Sequence, residues 1–350
     1  MSAGSSSSLV RVLVVDDSAY VRKVVKQMLS RSPFIDVVGM ARDGREALEL
    51  VEELKPDVVT LDLVMPGMDG IEFLEKQMAR KPLPVVIVSI SGERSELVIK
   101  ALNLGAIDFV QKPSALATER MFEMSDLLVE KVKEAAGISL RNVAVPDQPP
   151  PAVKEWIGGR PRVVDIVVIG VSTGGPQALR YLIPQFGANF PVPVAVVIHM
   201  PIGYTEMYAE SLNAISQVSV VEATEGRPIR QGEVVIAPAG RHLTFFRRDG
   251  EVAAHLDARP LDTPHRPAVD VLFRSAAEIY QSRVLGVVMT GMGTDGKEGA
   301  AWIKSKGGLI FTEAEGSCVV YGMPRAVEEA GLSDRSIPLN LLTQAILELI

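Results

Sequence analysis

Three residue types that together can make a hydrolytic centre stand at the ends of apolar runs in the second half of the chain. Gly170-Val171-Ser172-Thr173-Gly174 follows one such run. It has the G-x-S-x-G spacing of a nucleophile elbow, whose glycines permit a turn sharp enough to lift a hydroxyl clear of a sheet. Taken alone, the pattern is equally that of a structural turn or of an anion cradle at a helix start. A serine hydroxyl attacks a carbonyl only with a base beside it. Of the four histidines, His199 closes the apolar run 192–198 and is the first candidate. His265, in Thr263-Pro264-His265-Arg266-Pro267, is the second; His242 lies in Gly240-Arg241-His242-Leu243 and His255 in an expected surface hairpin. The base needs an orienting carboxylate. Asp295, in Thr290-Gly291-Met292-Gly293-Thr294-Asp295-Gly296, follows the run 284–289. The glycines there let backbone approach a bound group, which makes the Met292 N–H a candidate oxyanion donor; a plain Asp-Gly turn is the alternative. The order Ser, His, Asp departs from the Ser, Asp, His of α/β-hydrolases, and no HGGG-type loop is present. The set therefore predicts triad chemistry on a different α/β fold.

A second constellation lies in the first half. Asp16 and Asp17 end one apolar run, Asp62 another and Ser89 a third, and Lys112 follows a fourth. Three crowded carboxylates repel one another, and a hard divalent cation such as Mg²⁺ relieves that repulsion, binding a few carboxylates plus phosphate oxygens. Lys112 adds a point charge for a phosphoryl group and Ser89 a hydroxyl donor. The chemistry is transfer of phosphate to a carboxylate nucleophile. Acids at strand ends are also ordinary solvated turn residues; it is the five together that point to a site.

The elements that must carry these residues alternate strand and helix. Strands are expected at 10–15, 37–40, 58–63, 85–90 and 107–110, with helices at 18–30, 44–54, 70–80, 93–104 and 118–136. After a Pro- and Gly-rich stretch over 137–161, read as a semi-stiff linker, strands resume at 163–171, 192–198, 218–223, 233–237, 284–289 and 309–312. Helices are expected after Gly174, Tyr204, Val269 and Gly296. Alternation of this kind makes a parallel sheet with helices on both faces. The carboxyl ends of its strands share one edge, where ligands bind.

Bulk properties narrow the functions. At 350 residues the chain is about two domains long. The net charge of -7 gives no general attraction to nucleic acid or anionic lipid. Residues 163–350 hold fifteen Lys plus Arg against twenty Asp plus Glu, with no basic recognition helix, which argues against a DNA-binding output. A nucleotide-binding output lacks the third Rossmann glycine and a Walker lysine. Cys318 is the only cysteine, excluding an internal disulfide and fitting a reducing cytoplasm. Met1–Ser8 does not read as a signal peptide and no apolar run spans a bilayer. The expectation is a soluble, cytoplasmic protein without membrane insertion.

The motifs LVVDDS, LDLVMPGMDG, VSISG and DFVQKP, over about residues 10–125, resemble the response-regulator receiver family. That resemblance implies a flavodoxin-like domain with a five-stranded parallel sheet. Asp62 would be the phosphoacceptor, and Asp16, Asp17 and Asp62 would hold Mg²⁺, Asp17 as a direct ligand. Ser89 would be the switch hydroxyl, Phe109 the switch aromatic and Lys112 the phosphate-binding lysine. The motifs GVSTGGPQAL, VVIHMP, VVIAPAGRHL, HRPAVDVLFRSAA, VVMTGMGTDG and CVVYGMPRAV, over about 163–347, resemble the chemotaxis protein-glutamate methylesterase family. This second resemblance implies a doubly wound α/β domain with Ser172 as nucleophile, His199 as base and Asp295 as orienting acid. Thr173 would support His199, and the Met292 amide would bind the oxyanion. It further implies methyl-accepting chemoreceptors as substrate, deamidation of glutamine as a second activity, and a chemotaxis histidine kinase as phosphodonor. No cofactor is expected in the catalytic domain. The expected division is 8–127 receiver, 128–162 helix extension and linker, and 163–350 catalytic domain.

Overall fold

The computed structural model describes residues 9–90, 95–112, 118–137 and 163–350. They fall into two compact units, Met1–Val145 and Pro146–Ile350, each built on its own parallel sheet. Residues 138–161 of the expected linker lie outside the described residues.

The first unit runs β1 (Val10–Val15), α1 (Ala19–Leu29), β2 (Ile35–Ala41), α2 (Gly44–Leu54), β3 (Val58–Leu61), α3 (Gly70–Arg80), β4 (Val85–Ile90), α4 (Ser95–Asn103), β5 (Asp108–Lys112) and α5 (Thr118–Ala136). The sheet order is β2-β1-β3-β4-β5, with every pair parallel. Helices cover both faces, so β3 is buried at all four residues and reads as a continuous apolar run. Side-chain caps make the strand-to-helix turns abrupt. Ser18 accepts from the Val21 N–H, Asp43 from Arg45 and Glu46, and Asp69 from Glu72; such a cap contributes about 1 kcal/mol. Two strand ends differ from the sequence expectation in a way that matters. β3 stops at Leu61, which leaves Asp62 in the turn, and β5 extends to Lys112, which pairs with Ile90 and so sits on the ladder instead of after it.

The second unit runs β6 (Ile166–Val171), α6 (Gly175–Leu182), β7 (Val194–Ile198), α7 (Thr205–Asn213), β8 (Ser219–Glu222), β9 (Glu233–Ile236), β10 (His242–Arg248), β11 (Glu251–Asp257), α8 (Val269–Tyr280), β12 (Val284–Val288), α9 (Lys297–Ser305), β13 (Leu309–Glu313), α10 (Met323–Glu329), β14 (Arg335–Ile337) and α11 (Leu339–Leu347). Its seven strands are ordered β14-β13-β12-β6-β7-β9-β8 and pair in parallel throughout. The central strands β12, β6 and β7 are buried at every residue. From β6 the chain moves to β7 on one side and later returns to β12 on the other. That reversal is the switch point where open α/β sheets bind ligands.

Beside the sheet, β10 and β11 form an antiparallel hairpin, fastened to α8 by the Phe245 N–H donating to Ser275 Oγ at 2.8 Å. Leu272, Phe273 and Ala276 of α8 join Val168 and Val197 in the core. Gly170 makes room for α8, since a Cβ there would lie 2.3 Å from Val269 Cγ1. The sequence reading contained no α10, β14 or α11. β14 has only three residues, two of them exposed. α10 is seven residues with Pro324 in its first turn, and α11 is so densely apolar that it shows little helical alternation.

Candidate functional site

The second sheet's carboxyl edge carries the expected trio on three adjacent strands. Ser172 leaves β6 in a turn closed by the Gly175 N–H donating to its carbonyl at 2.7 Å. Gly174 adopts φ 77° there, a conformation that costs a side-chain-bearing residue about 1–2 kcal/mol. The Ser172 N–H donates to Thr290 O at 3.0 Å and Thr290 Oγ1 donates to Thr173 O at 2.9 Å, stitching the loop after β6 to the loop after β12. His199 follows β7, and its N–H reaches Val171 O at 3.3 Å.

His199 Nε2 lies 2.9 Å from Asp295 Oδ2, with the two side chains 9% and 5% exposed. A carboxylate accepts, so Nε2 carries the proton and Nδ1 is left as the acceptor. Nδ1 is buried without a hydrogen-bond partner among the described residues. Asp295 is held from its other side by α8, with the Val269 N–H at 2.8 Å and the Asp270 N–H at 2.9 Å. Burial alone would raise its pKa. The His199 hydrogen bond and the two amides outweigh that and hold the carboxyl below its ordinary value. The structure thus joins His199 to Asp295 directly and sets half-buried Ser172 on the neighbouring strand end, with no Ser172–His199 hydrogen bond formed. Such contacts are often loose before substrate binds.

Met292 is placed by its neighbour. A Cβ on Gly291 would lie 2.8 Å from Ser172 Cβ, so the Gly291 backbone is flush against the serine. The Gly291 carbonyl accepts from Gly322 at 3.1 Å and Met323 at 2.8 Å. In a planar trans peptide the N–H points opposite to the carbonyl. Pinning that carbonyl therefore aims the Met292 N–H away from α10. Thr173 is buried at 4% exposure.

Beneath this edge lie three groups that the sequence reading did not assign. Asp270 Oδ1 accepts from the Gly296 and Gly299 N–H groups at 2.9 and 2.7 Å, capping α9. Asp295, just before α9, caps α8 in return. Burial and the charge of Asp295 push the Asp270 carboxyl up to about 7 against those amides. Glu313, fully buried at the end of β13, accepts from the Thr290 N–H at 2.9 Å and from Ser317 Oγ at 3.0 Å, and burial lifts its pKa to about 7. His242 is fully buried; its Nδ1 accepts from Ala268 at 3.1 Å and its Nε2 faces Pro260 O at 3.1 Å. Desolvation lowers its pKa. The available signal for Glu313 was a lone acid ending an apolar run; for Asp270, an acid in a helix's first turn. Of the remaining histidines, His265 stacks on His199, ring centroids 4.0 Å apart, while His255 pairs with Glu225 on the hairpin surface.

The first sheet's carboxyl edge gathers the other constellation. Lys112 Nζ lies 2.6 Å from Asp16 Oδ2 and 2.7 Å from Asp62 Oδ2, all three side chains at or below 9% exposure. Carboxylate oxygens of Asp16, Asp17 and Asp62 lie within 4.8 Å of one another, with Asp17 exposed. Burial raises the pKa of Asp16, partly offset by Lys112. Ser89 Oγ is buried without a hydrogen-bond partner among the described residues. Phe109 is buried on β5. Oxygen donors in this number suit a hard divalent cation, and an unpartnered buried hydroxyl beside them suits a phosphoryl oxygen.

Comparison with known proteins matches residues 167–346 to the CheB methylesterase family and residues 12–124 to the response regulator receiver domain. The chain belongs to the CheB methylesterase family. It is 51% identical to the protein-glutamate methylesterase/protein-glutamine glutaminase 5 of Myxococcus xanthus, over 95% of this chain and 96% of that one. It is 45% identical to the protein of the same description from Symbiobacterium thermophilum, over 96% of each. The crystal structure of the Thermotoga maritima CheB methylesterase catalytic domain superposes with a TM-score of 0.53 at 42% identity, covering 53% of this chain and 99% of that one. The chain is therefore a hydrolase with an N-terminal receiver domain, and among the described residues no helix is long and apolar enough to cross a membrane.

Proposed function

We propose that this protein hydrolyses glutamyl γ-methyl esters of chemoreceptors, releasing methanol, and deamidates receptor glutamines, under control of phosphorylation at Asp62. The observation that carries the proposal is the His199–Asp295 hydrogen bond, which leaves the acceptor nitrogen of a buried imidazole beside the strand end that bears Ser172. Ser172 Oγ attacks the γ-carbonyl carbon while its proton passes to His199 Nδ1. Asp295 stabilises the imidazolium through Nε2. The oxyanion takes the Met292 N–H, a donor of the kind that contributes about 2.7–4 kcal/mol, and Thr173 supports the histidine. The carbon–oxygen bond to methanol breaks as Nδ1 returns its proton to the leaving oxygen. A water molecule then gives a proton to Nδ1 and attacks the acyl carbon, and as the bond to Ser172 Oγ breaks Nδ1 returns that proton to the serine oxygen, freeing glutamate and Ser172. With glutamine the leaving group is ammonia.

In the receiver, Asp16, Asp17 and Asp62 would hold Mg²⁺, which when bound offsets phosphoryl charge. Lys112 and Ser89 bind the phosphoryl oxygens, and Phe109 reports the change. A chemotaxis histidine kinase supplies the phosphate. Tenfold activation requires only about 1.4 kcal/mol of coupling. We assign 8–127 to the receiver, 128–162 to helix extension and linker and 163–350 to the catalytic domain, acting in the cytoplasm with neither nucleic acid nor membrane insertion. The test is methanol release from methylated receptor fragments, with and without a small acyl-phosphate donor. Ser172→Ala is expected to abolish release. A Ser172→Ala protein working at the wild-type rate refutes the proposal.

A further inference from the structure

A single hydrogen bond fixes one point of an imidazole ring, not its plane. His199 has that one point at Nε2, while Nδ1 is buried and unpartnered among the described residues. Yet proton transfer from a serine requires Nδ1 to stay aimed at one place, and a misplacement of about 1 Å costs on the order of 10²-fold in rate. The ring also has a face contact. The ring of His265 lies over that of His199 with centroids 4.0 Å apart and planes inclined by 24°. His265 belongs to the exposed residues of its loop, whereas the His199 side chain is only 9% exposed, so the outer ring also screens the inner one from water.

The loop that carries His265 is fastened on both sides. The Gly240 N–H donates to Arg266 O at 2.9 Å, next to His265 in the chain. Two residues further on, the Ala268 N–H donates to His242 Nδ1 at 3.1 Å, so the proton of His242 sits on Nε2, which donates to Pro260 O at 3.1 Å. Arg266 also reaches Leu261 O across the loop at 3.1 Å. The fully buried His242 thereby ties Ala268 to Pro260 and closes the stretch between them into an arch. The next residue, Val269, gives its N–H to Asp295. The arch thus runs directly into the backbone amide that holds Asp295, the acid hydrogen-bonded to His199.

We propose that His265 is a positioning residue of the esterase site: its stacked ring fixes the plane of His199 so that Nδ1 faces Ser172. In the transition state His199 becomes an imidazolium, and the face of an aromatic ring lying against a cation is favourable. The role rests on Ser172, His199 and Asp295 acting as the triad. Stacking needs a flat ring and no particular ring nitrogen, so a phenyl group should serve where a methyl group does not.

The experiment uses the full-length protein and a peptide bearing a glutamyl γ-methyl ester. It compares His265→Ala, His265→Phe and Ser172→Ala by kcat, by KM, and by the rate at which a phosphonofluoridate modifies Ser172. His265→Ala is expected to lower kcat by about 10–100-fold with KM nearly unchanged, and to slow serine modification by a similar factor. His265→Phe is expected to recover most of both losses. Three results overturn the role: a wild-type kcat in His265→Ala, a change confined to KM, or a His265→Phe protein as impaired as His265→Ala. Ester hydrolysis surviving in Ser172→Ala overturns the triad itself, a separate failure visible in the same series.

Discussion

At the edge of the first sheet three carboxylates and an ammonium crowd together; at the edge of the second, a carboxylate, an imidazole and a hydroxyl stand on three neighbouring strands. Both edges arise in the same way, from parallel strands whose carboxyl ends line up. They differ in how charge is resolved. Lys112 bridges Asp16 and Asp62, which offsets only part of the charge of the three carboxylates, and the buried Ser89 hydroxyl stays without a partner among the described residues. In the esterase edge one negative charge is enclosed by two amides and His199, and the atom without a partner is a basic nitrogen. The first arrangement suits the reception of a charged group and the second suits the movement of a proton. The sheet fixes where functional groups meet, and the strand-terminal residues decide what they do.

Three changes would break or sharpen this contrast. The largest effect is expected for Asp295→Asn, which disturbs the charge and the tautomer of His199 while keeping shape. Methanol release should fall by about 10⁴-fold, and a loss of less than tenfold would mean that something other than Asp295 orients the imidazole. Next is Asp62→Asn, which should remove stimulation by a small acyl-phosphate donor with Mg²⁺, a difference of about 1.4 kcal/mol if activation is tenfold. Stimulation that persists in this variant would detach the acid cluster from phosphate chemistry.

The smallest effect concerns stability. Burial raises the Glu313 carboxyl from its ordinary 4.5 to about 7. A carboxyl raised on folding favours the folded state fully below the unfolded value, and that advantage fades as pH climbs through the folded one. The second unit should therefore lose stability between about pH 4.5 and 7, with Asp270 acting in the same direction; Asp295, held below its ordinary value, acts only at lower pH. Glu313→Gln should flatten the loss, by about 1–3 kcal/mol at pH 8. Melting curves from pH 5 to 8 check this; parallel pH dependences in variant and wild type would show that Glu313 does not titrate in this window.

Most of the sheet architecture was legible because buried parallel strands are apolar along their whole length, as in β6, β7 and β12. Candidate residues could be assigned to an edge because each lay at the end of such a run or in the turn after it. What stayed hidden depends on contacts between distant segments. Nothing in Gly-Arg-His-Leu announces that His242 will hold Ala268, twenty-six residues away. Nor does Thr-Pro-His-Arg-Pro reveal that the runner-up histidine will lie against the first one. The two ranked as rivals in the sequence are neighbours in space. Asp270 and Glu313 escaped assignment because, Ser317 apart, their partners are backbone amides, which carry no sequence signature.

The paired helix starts have a mechanical consequence. α8 is fastened by the acid that precedes α9, and α9 by an acid in the first turn of α8, so the two form a crossed latch and neither can fray alone. Opening this corner means giving up four carboxylate–amide bonds together, each stronger than an ordinary backbone bond. Asp295 accordingly moves with a pair of interlocked helices and not with a surface turn. Heat or denaturant should unseat it only when that whole corner comes apart.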